Sequence, residues 1–268
     1  MNSGIKIGFF SDTHTLHKKW KNNFESFRHG DELENMWSEL DILCFTGDCS
    51  SKGNPKKVED FMKWFSNQPA KKKVMIAGNH DFFFDIDYRN KQLRHNIDKS
   101  PQEEVEEMLS KFPDIHYLND SGVKLFGLNI WGSPVQPKFG NWVFNRYRNT
   151  IVNGDGSIIN DNARPIPNGI KKHWDMIPNN TDVLLTHGPP FKHGDLLAHK
   201  SRRIGECPNV GCVDLSIAIE RVKPKIVAFG HIHEGYGKVK GSDGIIYINS
   251  SSLNEEYSPV NAPKFHRI

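Results

Sequence analysis

An α/β chain whose sheet is partly parallel and partly not is the fold class the sequence predicts, on three observations. Short apolar runs recur along the chain and each ends in a polar cluster. Amphipathic helical patterns lie between these runs, and the C-terminal part turns strand-rich. Residues 5–10 form the first run, closed by Ser11-Asp12-Thr13-His14. Residues 41–46 end in Gly47-Asp48, and residues 73–77 in Gly78-Asn79-His80-Asp81. Residues 183–186 lead into His187-Gly188-Pro189-Pro190, and residues 226–229 into Gly230-His231-Ile232-His233. Five strands are thus expected to deliver polar residues at the same end.

The helical patterns carry their own start signals. Asn54 and Pro55 read as an N-cap and first-turn proline, and Val58, Phe61, Met62 and Phe65 share one face at the i, i+3, i+4, i+7 spacing. Ser100 with Glu103 makes a capping box around Pro101, before Val105, Met108, Leu109 and Phe112 in the same spacing. Residues 211–222 form a third helix that Pro224 ends. Residues 237–240, 244–249 and 264–268 read as strands between Gly, Asp and Pro turns. The segment 132–169 is rich in Gly, Asn and Pro and poor in periodicity, so a long loop beside the site is expected there. No composition break or charge run marks a linker, and one domain over residues 1–268 is expected.

Composition bounds the function. With 37% hydrophobic and 25% charged residues, the 268-residue chain can bury a substantial core, which excludes a disulfide mini-protein or a disordered tail. Mean hydropathy is −0.59, and no apolar run approaches the roughly 18 to 20 residues a bilayer needs, so no membrane span is expected. The first ten residues run into a core strand without a basic n-region, so no signal peptide is expected. Cys44, Cys49, Cys207 and Cys212 fit no CxxC pair, which favours a reducing, cytoplasmic setting. A net charge of +3 is far from the basic footprint of a dedicated nucleic-acid surface. The unusual figure is 13 histidines, because histidine is both the commonest metal ligand and the usual acid or base near neutral pH.

The five strand ends present Asp12, His14, Asp48, Asn79, His80, His187, His231 and His233, all metal ligands or proton carriers. In an open α/β sheet, groups just outside the carboxyl ends of the strands can meet although far apart in sequence. One cation has no need of so many donors. Two cations about 3.5 to 4 Å apart do, with a carboxylate such as Asp48 between them. Asp12 and His14, like His231 and His233, are one residue apart, so an extended backbone would point both members the same way. Each cluster alone is weak, since Asp and His are common in turns. Their conjunction, five times in order, is the signal.

Those clusters together resemble the full signature of the calcineurin-like metallophosphoesterase superfamily. Gly132-Ser133-Pro134 with Gln136-Pro137, residues 184–190, Val210-Gly211-Cys212, residues 229–237, Ile248-Asn249-Ser250 and the tail Tyr257-Ser258-Pro259-Val260-Asn261 resemble its metallophosphoesterase-domain-containing phosphodiesterases. The resemblance implies a four-layer α/β/β/α sandwich with two mixed sheets. It implies that Asp12, His14, Asp48 and His233 bind one metal, and that Asp48, Asn79, His187 and His231 bind a second. His80 is then left to face the substrate, and Asp81 to orient its imidazole. The implied cofactors are two divalent ions, Mn, Fe, Zn or Ni by ligand type, with Mn preferred for assay.

The implied reaction is in-line attack on phosphorus by a hydroxide bridging the two metals, with protonated His80 as the acid for a poor leaving group. The expected substrate is a small phosphodiester, nucleotide-like or a cyclic nucleotide. A phosphomonoesterase or protein phosphatase uses the same centre; a nuclease would need a basic groove, and a binding module with little turnover has no need of His80. Arg146, Arg148, Arg202 and Arg203 lie in segments that could rim the pocket, and Phe139, Trp142 and Phe144 could stack a base, although surface or packing roles explain them as well. Cys44 reads as a small buried strand residue rather than a ligand. Oligomeric state and substrate-binding residues are not readable from the sequence.

Overall fold

In a computed structural model, residues 4–23, 30–92, 98–160, 166–198 and 207–268 are described. One sheet is built from β1 (Lys6–Phe10), β2 (Ile42–Thr46), β3 (Lys72–Ile76), β4 (Ile115–Tyr117) and β15 (Lys264–Arg267), in the order β15-β1-β2-β3-β4. Its central strands are parallel and only β15 runs against its neighbour. The other sheet is built from β5 (Ser121–Leu125), β6 (Leu128–Ser133), β11 (Val183–Thr186), β12 (Ile226–Phe229), β13 (Gly237–Lys240) and β14 (Ile246–Asn249). Its order is β13-β14-β12-β11-β6-β5, parallel from β14 to β6 and antiparallel at both edges. Both sheets are mixed, as expected.

Period-two alternation explains how the sheets stack. Ile7 and Phe9, Ile42 and Cys44, and Val74 and Ile76 point from the first sheet into a shared core with Ile130, Val183, Leu185, Ile226, Ala228 and Ile248 of the second. The intervening residues Phe10, Leu43, Phe45 and Met75 face a helical layer on the outer side. That layer comprises α1 (His17–Asn22), α2 (Gly30–Ser38), α3 (Pro55–Ser66), α4 (Ile86–Gln92) and α5 (Pro101–Ser110). Leu184, Val227 and Phe229 face the opposite layer, α6 (Lys171–Asp175) and α7 (Val213–Val222). Four layers result, α/β/β/α. Full burial of each such side chain contributes ~1.5 to 3 kcal/mol, so the strands are held on both faces. No helix among the described residues is long and apolar enough to cross a membrane.

The local signals read from the sequence are in place. Asn54 Oδ1 caps α3 by accepting from the Lys56 and Lys57 amides, and Ser100 with Glu103 closes a reciprocal capping box on α5. Helix α7 starts two residues later than expected, after an N-cap at Cys212, and ends at Lys223, which adopts φ 51° before Pro224. The segment 132–169 is not one long loop. It holds β7 (Gln136–Pro137) paired with β8 (Asn145–Arg146), and β9 (Thr150–Val152) paired with β10 (Ile158–Asn160). These pairings are two or three residues long, too short for a periodic signal to register.

Candidate metal centre

The parallel strands put their carboxyl ends on one side of the sandwich, and the backbone turns sharply there. Asp12 (φ 50°), His14 (φ 40°), Asp48 (φ 63°) and His231 (φ 68°) all adopt left-handed conformations that cost roughly 1 to 3 kcal/mol each in a non-glycine residue. Asp12 and His14 are therefore brought together by a left-handed turn, not by the extended segment expected. His233 opens a single 3₁₀ turn, His233–Gly235. Two glycines are required by close approach: a Cβ on Gly230 would lie 2.1 Å from Asp12 Oδ2, and one on Gly78 would lie 2.3 Å from Asp48 Oδ1. The two sheets are stitched together at this point, where the Ser11 amide donates to the Ser250 carbonyl (3.0 Å) and the Ser252 amide to that of Ser11 (2.9 Å).

Among the described residues, three overlapping groups of side chains gather there: Asp12, His14 and His233; Asp48, His187 and His231; and, linking them, His14, Asp48 and His80. Within each group the candidate ligand atoms all lie within 4.8 Å of one another. Asn79 joins the second group, its Oδ1 2.8 Å from His187 Nε2, and Asp48 Oδ2 lies 3.3 Å from the same nitrogen. His233 Nε2 is 3.5 Å from Asp12 Oδ1. Asp12, Asp48, Asn79 and His187 are essentially without solvent exposure.

The imidazole tautomers are set by backbone carbonyls. Nδ1 of His187 faces the Thr46 carbonyl, that of His233 the Asn254 carbonyl, and that of His80 the Ser51 carbonyl, each at 2.9 Å. A carbonyl can only accept, so Nδ1 carries a proton, and it is Nε2 that faces inward, with a lone pair in the neutral ring and a second proton in the charged one. His14 goes further: both ring nitrogens are buried with no hydrogen-bond partner among the described residues. Acceptors crowded against acceptors, and an orphaned buried imidazole, fit a site built for cations.

The electrostatics follow. Burial lowers His14 to about 4 despite Asp48 and Asp12, and burial beside His187 lowers His231 to about 3. Burial also disfavours a charge on His187, but the Asp48 carboxylate beside it pushes this histidine up to about 9. Burial would raise the Asp12 and Asp48 carboxyls, yet the surrounding imidazoles hold both well below the usual carboxylate range. The carboxylates stay charged and His14 and His231 stay neutral, as ligation requires, whereas, against burial, Asp48 and Asp12 favour a proton on His187 and His233 that a bound cation would displace.

One expected role is corrected. Asp81 does not hold the His80 ring. Its oxygens accept from the backbone amides of Gly78 (2.9 Å), Asp48 (2.8 Å), Cys49 (3.3 Å) and Ser50 (2.9 Å), and from the Cys49 thiol and Ser50 hydroxyl. It clasps the two turns that carry Asp48 and Asn79, and burial with the nearby Asp48 charge raises its carboxyl above the ordinary value. The His80 ring is held by the Ser51 carbonyl and by Trp142, stacked at 4.0 Å between centroids.

The clusters form the floor of a cavity of about 690 Å³. Its walls include Phe139, Trp142, Arg148, Ile151, Leu197 and Tyr257. The Arg148 guanidinium is tied to the carbonyls of Gly211 (2.7 Å) and Val210 (2.5 Å). Arg146 is turned away, with Nε donating to His173 Nε2 at 3.0 Å. Phe144 is buried in the core behind the loop. Cys44 is buried between the sheets, as expected. Arg202 and Arg203 lie outside the described residues, as do His29, His95 and His199.

Sequence reasoning missed Ser251, whose hydroxyl donates to Asp12 Oδ2 (2.9 Å), and Ser11, which donates to the same oxygen (2.5 Å). It gave no role to Tyr257, whose ring lies 5.0 Å from that of His14 and 5.1 Å from that of His233. The available signal was position: Ser250-Ser251 follows β14 as Asp12 follows β1.

Two mixed sheets face to face, with paired Asp/His clusters at their carboxyl ends, define the class of the metal-dependent phosphoesterases. The chain belongs to the calcineurin-like phosphoesterase family, whose profile matches residues 5–235. It is 34% identical to human metallophosphoesterase domain-containing protein 1 over 232 residues, covering 83% of this chain and 63% of that one. It is 33% identical over 257 residues to UPF0046 protein T07D4.2 of Caenorhabditis elegans, covering 88% of this chain and 56% of that one. The chain thus spans less than two thirds of the length of these curated relatives. TT1561 of Thermus thermophilus has a similar fold, with TM-score 0.56 and 12% identity over 99% of both chains.

Proposed function

We propose that this chain is a dimetal-dependent phosphodiesterase acting on small nucleotide-like esters, cyclic nucleotides included. In this reading, residues 1–268 act as one domain, Asp12, His14, Asp48 and His233 hold one ion, and Asp48, Asn79, His187 and His231 hold the other. The observation that carries it is the pair of Asp/His groups flanking Asp48 on the floor of a 690 Å³ cavity. A cavity of that size takes a nucleotide-sized ester. Its aromatic wall of Phe139, Trp142 and Tyr257 favours a substrate with a planar group. The four cysteines are free thiols, which fits a reducing, cytoplasmic location.

Two bound divalent ions would lower the pKa of water and neutralise phosphoryl oxygens as charge develops. The chain does the rest. Asp48 lies between the two groups and fixes their separation. Carbonyl contacts at Nδ1 of His187 and His233 fix the direction of each Nε2. His80 keeps a proton at Nδ1 on the Ser51 carbonyl, so only Nε2 is available to deliver a proton to a departing alkoxide.

The test is turnover of metal-reconstituted protein on an aryl phosphodiester, an aryl monophosphate, cyclic nucleotides and single-stranded DNA, with Mn as first metal and Asp48→Asn as control. Metal-dependent cleavage of the diester and the cyclic nucleotides, absent in Asp48→Asn, is expected. Preference for the monophosphate would overturn the diester assignment. No turnover on any of the four would overturn the enzymatic reading.

A further inference from the structure

We propose that Asn145 is a positioning residue for His80, acting through the loop 138–144 that lays Trp142 on the His80 ring. This rests on the reading of His80 as the proton donor. Two aromatic side chains of this loop face the floor: Trp142 stacks on His80 at 4.0 Å and 30°, and Phe139 lies 5.1 Å from the His231 ring. The Ser51 carbonyl fixes one ring nitrogen of His80. It does not fix the tilt of the plane about that bond. Trp142 does, from one face.

A seven-residue loop bearing two partly exposed aromatic rings does not hold that geometry on its own, because apolar contact is non-directional. The ends of the loop are held by the Lys138 amide on the Arg146 carbonyl (2.8 Å), by the Val143 amide on the Asn79 carbonyl (3.4 Å) and by burial of Val143 and Phe144, and the turn between them is organised by one side-chain amide. Asn145 Nδ2 donates to the carbonyls of Phe139 (3.0 Å), Gly140 (3.4 Å) and Trp142 (2.9 Å), while its Oδ1 accepts from the Phe139 amide (3.4 Å). Three carbonyl acceptors around one end fix which end is nitrogen. The loop also reverses through left-handed residues at Gly140 (φ +47°) and Phe144 (φ 55°), and the short β7–β8 ladder at its base does not reach residues 139–142, which the Asn145 amide holds.

Asn145 is itself anchored. It lies in β8 opposite Gln136, whose amide donates to the Phe144 carbonyl at 3.1 Å, and the Phe144 amide donates to Asp85 Oδ2 at 2.6 Å. Its neighbour Arg146 is fixed by a chain of side chains. Arg146 Nε donates to His173 Nε2 (3.0 Å), His173 Nδ1 donates to Asp120 Oδ2 (2.7 Å), and Ser133 donates to Asp120 Oδ1 (2.6 Å). The frame runs from β6 through α6 to β8, and Asn145 passes it to the loop.

The experiment pairs a spectroscopic readout with kinetics on Asn145→Ala and the isosteric Asn145→Asp. In metal-free protein, the ring-current shift of the His80 carbon-bound protons reports the Trp142 stack. It is expected to collapse in both variants to the value found in Trp142→Ala. With metal, kcat on an alkyl phosphodiester should fall about tenfold, part of what a positioned acid is worth. An aryl diester, which needs little protonation, should change less than about twofold under the same principle. Metal stoichiometry should not change. An unshifted His80 resonance in Asn145→Ala overturns the proposal. So does rescue by Asn145→Asp, because a carboxylate cannot donate to three carbonyls, and so does an equal loss on both esters. Failure of the phosphoesterase reading is distinguishable: wild type would show no metal-dependent turnover while the His80 shift still responded to Asn145.

Discussion

The floor and the rim of the cavity are built in opposite ways. Floor residues sit on strand ends, at left-handed turns braced by Asp81 and the Ser11–Ser250 stitch, and nearly all are buried. The rim is a loop that turns Phe139 (42% exposed) and Trp142 toward the cavity and whose turn is held by one side-chain amide. Groups that must agree within fractions of an ångström stand on rigid elements. Groups that meet the variable part of a substrate stand on a loop, where shape changes without disturbing the sheets.

His80 joins the two regions, and its removal is the largest way to break the comparison. His80→Ala should lower kcat on an alkyl diester by about 10²-fold or more, the worth of a general acid, with metal content intact. An aryl diester should suffer less. Unchanged turnover on the poor leaving group would remove His80 from the chemistry and leave the floor self-sufficient.

Asp81 sharpens the comparison from the other side. It touches four backbone amides of the floor and not the His80 ring, so Asp81→Asn should weaken metal affinity by about 10- to 100-fold, as loss of a supporting partner does. At saturating metal, the ratio of rates on alkyl and aryl esters should stay at the wild-type value. A changed ratio with unchanged metal affinity, read by metal titration, would return Asp81 to the orienting role the resemblance implied.

The smallest effect lies outside both regions. His17 of α1 is buried against Phe61 and Trp64 of α3, 3.3 Å from Asp60, and burial lowers it to about 4, with the Asp60 charge opposing and Lys18 and Lys57 assisting. Its folded value lies below its unfolded one, so the unfolded chain binds the extra proton as pH falls from about 6.5 to 4. The penalty is absent above that window and grows to roughly 3 kcal/mol at its acid end. His17→Gln should flatten this part of a pH-dependent melting curve without moving turnover at pH 7. An unaltered acid limb would show that other groups carry it.

These regions were unequally legible in the sequence. Strand ends were readable because an apolar run stopping at Asp12, Asp48, Asn79 or His187 is a local event that needs no tertiary knowledge. So were the caps at Asn54 and Ser100. Short pairs such as β7 with β8 were not, since two residues make no period and their partners lie across a loop. Strands β4 to β6 also went unread, because β5 alternates with Gly and Lys at an exposed edge. The Asp81 role was misassigned for a related reason: adjacency to His80 along the chain says nothing about which amides a buried carboxylate will find. Asn145 was invisible, because its bonds exist only once the loop has folded back on it.

Metal stoichiometry measured together with position tests the central claim most directly. Crystals of reconstituted protein, examined by anomalous scattering at the edge of the added metal, should show two peaks on either side of Asp48, one against Asp12, His14 and His233 and the other against Asn79, His187 and His231. In Asp48→Asn at least one peak should vanish. A single peak in wild type, or two that survive the loss of the Asp48 carboxylate, would contradict the account.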